Sequence, residues 1–117
     1  MYKVKLASIY SITHTSGYFY LGMSIDTYSR WSSHYTQLKD KSHSSIEFTK
    51  LFNNTSINEW SWTILEYVSI TEYKNTHKLK GKVLETSFRR YLLSREKYWM
   101  NNHSINLALN KDKKHFR

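Results

Sequence analysis

A chain of 117 residues has room for one hydrophobic core and hardly for two. It contains no cysteine, which excludes a thiol nucleophile, a disulfide, an iron–sulfur cluster and cysteine-bound zinc. Its net charge of +9 at pH 7, with pI ≈ 9.7, points to a polyanionic partner, nucleic acid ahead of an acidic membrane surface. No apolar run approaches the ~18 residues of a membrane span, and the N-terminus lacks a signal-peptide pattern. An intracellular, soluble domain of α/β or α+β type is therefore expected. The 16% aromatic content, with ten Tyr, argues against disorder and leaves many rings with a polar tip.

In chain order, residues 4–13 carry Val4, Leu6, Ile9, Tyr10 and Ile12 and predict a first strand. Thr15, Ser16 and Gly17 supply a turn, and Tyr18 to Met23 predict the return strand of a hairpin. Period-2 alternation puts Tyr18 and Tyr20 on one face and Phe19 and Leu21 on the other. Gly22 allows another group to approach the backbone closely. Asp26 is placed to cap a helix over residues 27–40, whose stripe Tyr28, Trp31, Tyr35 and Leu38 should pack on the sheet, with Arg30 and His34 one turn apart on its flank.

A short helix from Ser45 to Phe52 is expected to turn Ile46, Phe48, Leu51 and Phe52 inward, after a His43-Ser44-Ser45 loop and cap. Residues 59–70, with Trp60, Trp62 and Ile64 alternating with polar residues, predict a third strand. Residues 72–82 are polar and basic, either a surface helix or a loop ending at Gly81. The longest helical pattern covers 83–101, with Leu84, Phe88, Tyr91, Leu92 and Trp99 as its apolar stripe. Glu96 falls at the rim of that stripe and Arg95 near its centre, where a buried pair or a phosphate contact would account for it. An irregular segment, Ile105 to Leu109, then leads through Asn110 to a basic tail. His14, His77, His103 and His115 have no ligand spacing and are expected at the surface. Neither repeats nor linkers divide the chain, so residues 1–117 are expected to form a single domain.

Ser8-Ile9-Tyr10 and Tyr20-Leu21-Gly22 resemble the paired Gly-Ile-Tyr and Tyr-Ile-Gly motifs of the GIY-YIG nuclease superfamily. The resemblance extends through Arg30 and His34, His43-Ser44-Ser45-Ile46, Ile64-Leu65-Glu66 and Arg95-Glu96-Lys97-Tyr98-Trp99-Met100 to Asn110, nearly the whole chain. It is strongest toward the catalytic domains of phage intron-encoded homing endonucleases of the T4 type. Ser8 replaces a glycine and Leu21 an isoleucine, and neither change removes a chemical group. The final asparagine of the pattern is Asn110, after Leu109, or Asn106.

The resemblance implies a small three-stranded antiparallel sheet flanked by helices, and hydrolysis of DNA phosphodiester bonds. It implies Tyr10 as base for the attacking water, Tyr20 as a hydrogen-bonding partner of water or phosphate, and Arg30 as the phosphate ligand. His34 would take or relay a proton or contact phosphate, Asn110 would hold the site by hydrogen bonds, and Glu96 would bind Mg²⁺ or Mn²⁺. Both tyrosine hydroxyls are expected on the side of Glu96. No small-molecule cofactor or membrane is expected; double-stranded DNA is the expected partner. Lys74, Lys78, Lys80, Lys82, Lys111, Lys113 and Lys114 are candidates for tracking its backbone. Homing enzymes of this kind carry a separate DNA-reading region, and 117 residues leave no room for one, so either specificity is low or the chain is a catalytic domain cut from, or working with, a separate DNA-targeting domain or protein. The alternative is a catalytically weak or inactive DNA-binding module that keeps the fold. An RNA-binding domain lacks a recognisable aromatic–basic motif here.

Overall fold

The computed structural model describes residues 5–117; the predicted start of the first strand at Val4 lies outside them. Strand β1 (Ser8–His14) is central, paired antiparallel on one side with β2 (Phe19–Ser24) and on the other with β3 (Trp60–Tyr67). Four helices flank this sheet: α1 (Thr27–Lys39), α2 (Ile46–Asn53), α3 (Ile70–His77) and α4 (Gly81–Asn101). The architecture is the expected α+β arrangement of a three-stranded antiparallel sheet with helices. Among the described residues no helix is long and apolar enough to cross a membrane.

The pleat of β1 divides the interior in two. Ile9 packs with Phe19, Leu21, Phe88 and Leu92 on the face covered by α4. Tyr10 and Ile12 pack with Leu38, Phe48 and Trp60 on the face covered by α1 and α2. The β1–β3 register shifts between Ile9 and Tyr10, pairing Ile9 with Glu66 but Tyr10 with Ile64, so a bulge lies beside the motif tyrosine.

Local chemistry sets the helix starts. Asp26 caps α1 by accepting from the Ser29 amide, and Ser45 caps α2 by accepting from the Phe48 amide. Ser8, where the motif has glycine, hydrogen-bonds Thr27, which donates in turn to the Leu6 carbonyl at 2.7 Å. The added hydroxyl thus ties the first turn of α1 to the chain entering β1.

Several expectations about facing are corrected. The inward stripe of α1 is Thr27, Trp31, His34 and Leu38, a strict helical series, while Tyr28 is 58% exposed and Tyr35 also lies outward. Ile46 is 68% exposed, because its position in the first turn of α2 points away from the sheet. Tyr91 is exposed on α4, and Tyr18 precedes β2 and lies in solvent. Helix α3 resolves the helix-or-loop choice for residues 72–82 and begins earlier, at Ile70, so β3 is correspondingly shorter than predicted. Arg95 is half-buried and makes a bidentate pair with Glu66 of β3, Nη2 lying 2.7 Å from Oε1. Trp99 Nε1 donates to the same carboxylate at 2.9 Å, so the Arg95 pair anchors α4 to the sheet. Its own face then leaves Glu96, the next residue, aimed elsewhere.

Candidate active site

The outer edge of β2 would be open if the chain ended at α4. Residues 108–110 cover it: Ala108 bridges Phe19, and the Leu109 amide donates to the Phe19 carbonyl at 2.7 Å. The buried Asn110 side chain then continues the ladder, its Oδ1 accepting from the Leu21 amide at 3.0 Å and its Nδ2 donating to the Leu21 carbonyl at 2.7 Å. Asn106 is exposed. Of the two asparagines, Asn110 is therefore the one that holds the Tyr20-Leu21-Gly22 strand.

Tyr10 and Tyr20 both project to the α1/α2 face. Tyr10 is only 1% exposed, and its phenol lies over Gly22, its cross-strand partner. A Cβ on Gly22 would stand 2.6 Å from Tyr10 Oη and 2.8 Å from Cζ, so the glycine is required by the tyrosine of the other motif. The close approach anticipated at Gly22 comes from within the sheet.

Behind Tyr10, Oη lies 2.7 Å from Nε2 of His34, which is fully buried. His34 Nδ1 lies 2.8 Å from Nε2 of His43, and the Ser45 amide donates to His43 Nδ1 at 3.0 Å. Ser45 also donates its hydroxyl to the Leu109 carbonyl, linking this array to the segment that carries Asn110. Tyr20 stacks on Phe48, and its ring meets the edges of both imidazoles. His43 and Ser45 were not singled out from the sequence as site residues. The available signal was the His43-Ser44-Ser45 run before a helix, where a capping serine presents its own amide to the residue two before it.

Burial raises Tyr10 well above an ordinary phenol, and the opposing charge of Arg30 does not reverse this. Tyr20 is raised for the same reason. Both phenols are therefore protonated at neutral pH in the free protein. Burial pushes His34 down to about 3, helped by Arg30 and His43, and His43 is lowered likewise by burial and Arg30. Arg30 is thus the common cation of this group, half-buried on α1 and close enough to act on both tyrosines and both histidines.

Across the β2 edge, Glu96 lines a cleft of about 470 Å³ together with Tyr20, Asn110, Lys97, Lys111 and Lys114. Burial raises its carboxyl to about 6, offset only in part by Lys97. No ion pair or hydrogen bond to Glu96 is present among the described residues. Tyr20 therefore shares the cleft with Glu96, whereas Tyr10 lies deeper, still close enough to feel the carboxylate. Among the described residues no three His, Cys, Asp or Glu side chains gather as a metal-binding group.

The predicted lysines divide. Lys111 and Lys114 line the cleft, whereas Lys113 is paired with Glu47 at 2.8 Å. Lys74, Lys78, Lys80 and Lys82 are all exposed near the start of α4. At 1.5 Å rise per residue, Lys82 stands about 21 Å along the helix from Glu96, outside the cleft. Lys97, at the cleft, was not among the predicted set.

No protein-family model matches this sequence, and no curated protein matches it. Solved structures do. The catalytic domain of homing endonuclease I-TevI superposes with a TM-score of 0.61 and 26% identity, over 90% of this chain and 99% of that one. A point variant of the catalytic domain of intron endonuclease I-TevI superposes with a TM-score of 0.69 and 23% identity, over 96% of this chain and 99% of that one.

This is the GIY-YIG nuclease fold.

With that fold in place, the two three-residue motifs of the hairpin have a shared geometry: the tyrosine of the first lies over the glycine of the second. The sequence reading is corrected at one histidine: His14, expected at the surface, is 8% exposed. His14 Nδ1 accepts from the Ser16 amide at 3.1 Å and its ring packs on Trp60, so it braces the hairpin turn.

Proposed function

We propose that this protein is a DNA endonuclease of the GIY-YIG kind, hydrolysing phosphodiester bonds with the help of a divalent cation. The observation that carries the reading is the cleft itself. Glu96, without a partner among the described residues, lines it with Tyr20, Asn110 and three lysines, and Arg30 acts on Tyr20 and on the deeper Tyr10.

A scissile phosphate has two demands, compensation of its charge and a water aimed along the line of attack. Arg30 meets the first with a fixed guanidinium fork. Tyr20, at the wall of the cleft, orients the water or a phosphate oxygen by its hydroxyl. Tyr10 takes the proton of the attacking water after its own phenol hydrogen has passed to bulk solvent through the cleft; because burial raises that phenol, this loss is part of the barrier, and Arg30 lowers its cost. Asn110 keeps the tyrosine strand in place through Leu21.

The donor chemistry at Glu96 fits Mg²⁺ or Mn²⁺. A hard cation of this type keeps several waters and takes one or two carboxylates, and Glu96 is a single unpaired carboxylate at an open cleft. When bound, such a cation supplies Lewis-acid polarisation of phosphate oxygens. Lys97, Lys111 and Lys114 would hold flanking phosphates without reading sequence.

The test is cleavage of end-labelled duplex DNA with Mg²⁺ and with EDTA, followed by resealing of the products by a ligase. The reading predicts Mg²⁺-dependent internal cuts that reseal, as 5′-phosphate and 3′-hydroxyl ends do. Retarded DNA with no cuts under either condition would instead make the chain a DNA-binding module with a nuclease fold.

A further inference from the structure

The hydrogen-bond array behind Tyr10 has a direction, and one backbone amide sets it. Ser45 is the N-cap of α2; its Oγ accepts from the Phe48 amide at 3.1 Å and donates to the Leu109 carbonyl. Its own N–H is thereby fixed in place, and it donates to His43 Nδ1 at 3.0 Å. A backbone N–H can only donate. His43 Nδ1 is then an acceptor, and a neutral imidazole with Nδ1 accepting carries its hydrogen on Nε2.

That hydrogen points at His34 Nδ1, 2.8 Å away. His34 Nδ1 is therefore also an acceptor, and its hydrogen is on Nε2, facing Tyr10 Oη at 2.7 Å. The phenol oxygen receives this bond, and its own hydrogen is left to point elsewhere. We propose that His43 is a positioning residue that, through the tautomer imposed by the Ser45 amide, holds His34 as a donor to Tyr10 and so aims the phenol hydrogen away from the core.

Two consequences follow from the same geometry. His34 cannot serve as the base for Tyr10, because the nitrogen facing the phenol already bears hydrogen. Nor can it relay a proton inward, since His43 Nδ1 is occupied by a donor that cannot be displaced without freeing a buried amide. The array instead donates toward the phenol oxygen, which stabilises the phenolate when its hydrogen leaves. The lowered basicity of both histidines agrees with an array that stays neutral. The charged and titratable groups acting on it are Arg30 from α1, Glu96 from α4, and Tyr10 and Tyr20 of the sheet.

The direct test is long-range proton–nitrogen correlation NMR on the ¹⁵N-labelled protein at pH 7, which reports the protonated nitrogen of each imidazole. The proposal predicts hydrogen on Nε2 in both His34 and His43; hydrogen on Nδ1 of His34 overturns it. This arm is independent of whether the protein cuts DNA.

A second arm rests on the proposed nuclease reading. His43→Phe keeps the ring but removes the donor, and His43→Gln keeps an N–H near the position of Nε2. The expected result is loss of the fixed tautomer at His34 and a fall of about tenfold in cleavage rate for Phe, as for one lost hydrogen bond of about 1.4 kcal/mol. The Gln variant should restore most of the rate, with DNA affinity alike in all three. Equal rates and an unchanged His34 tautomer in the Phe variant would show His43 to be packing alone.

Discussion

The two walls of the candidate site, a buried array and the open cleft beside it, are built on opposite principles. On the α1/α2 side every polar atom of the Tyr10–His34–His43–Ser45 array has a partner, the groups are buried, and the imidazoles are neutral. On the α4 side Glu96 has no partner among the described residues, faces open space and is raised to about 6 by burial. A satisfied network makes its geometry rigid before any ligand arrives. An unsatisfied half-buried carboxylate is costly to the free fold and is relieved by a positive ligand. The difference assigns positioning to the first wall and ligand capture to the second.

The strongest way to break this contrast is to disturb the rigid wall at its closest contact. Gly22→Ala sets a Cβ 2.6 Å from Tyr10 Oη, so the phenol must leave His34 or the strand must shift. Overpacking of this kind costs about 1–3 kcal/mol, and cleavage should fall at least a hundredfold because the attacking geometry is lost. Urea unfolding alongside a cleavage assay measures both, and near-normal activity would separate Tyr10 from the chemistry.

Asn110→Ala should come next. It leaves the Leu21 amide and carbonyl without partners at a covered strand edge, a loss of about 2 kcal/mol or more. Denaturant titration reads this directly, and a change within error would place the edge in solvent.

A smaller effect separates the walls by pH. His34 falls from 6.5 to about 3 on folding, so its contribution is present above pH 6.5 and is lost as pH falls toward 3. Glu96 rises from 4.5 to about 6, so its favourable contribution is present below pH 4.5 and is lost as pH rises through 6. Glu96→Gln should therefore stabilise the metal-free protein at pH 7. The gain should be about 1–2 kcal/mol, since each tenfold change in acidity between the unfolded and folded chain is worth about 1.36 kcal/mol. At pH 4 the gain should vanish. Thermal unfolding at the two pH values checks it, and destabilisation at pH 7 would mean that Glu96 has a structural partner.

Much of this arrangement was legible in the residues. Alternation at Phe19 and Leu21, the caps Asp26 and Ser45, and the helical stripe around Phe88 and Leu92 state local physics, and local physics decided those elements. The motifs placed Tyr10, Tyr20, Arg30 and Glu96 around one region. What escaped depends on contacts across the fold. Arg95 sits in an apolar stripe because Glu66, on a different element, meets it there. His34 is buried because Tyr10 and His43 satisfy both its nitrogens, and His14 because its Nδ1 takes the Ser16 amide while its ring packs on Trp60, which polarity alone does not reveal. The depth of Tyr10 follows from Gly22 lying opposite it, a fact of strand register. The basic residues near Lys82 and those at Lys111 look alike in sequence, and only helix α4 sets them apart.

The central claim is that the unpaired carboxylate of Glu96 converts a preorganised phosphate site into a nuclease. It is tested most directly by incubating supercoiled plasmid and Mg²⁺ with the protein and with its Glu96→Gln variant at matched DNA occupancy. The account predicts nicking by the protein and none above background by a variant that binds DNA as well or better. Equal nicking by both would contradict it.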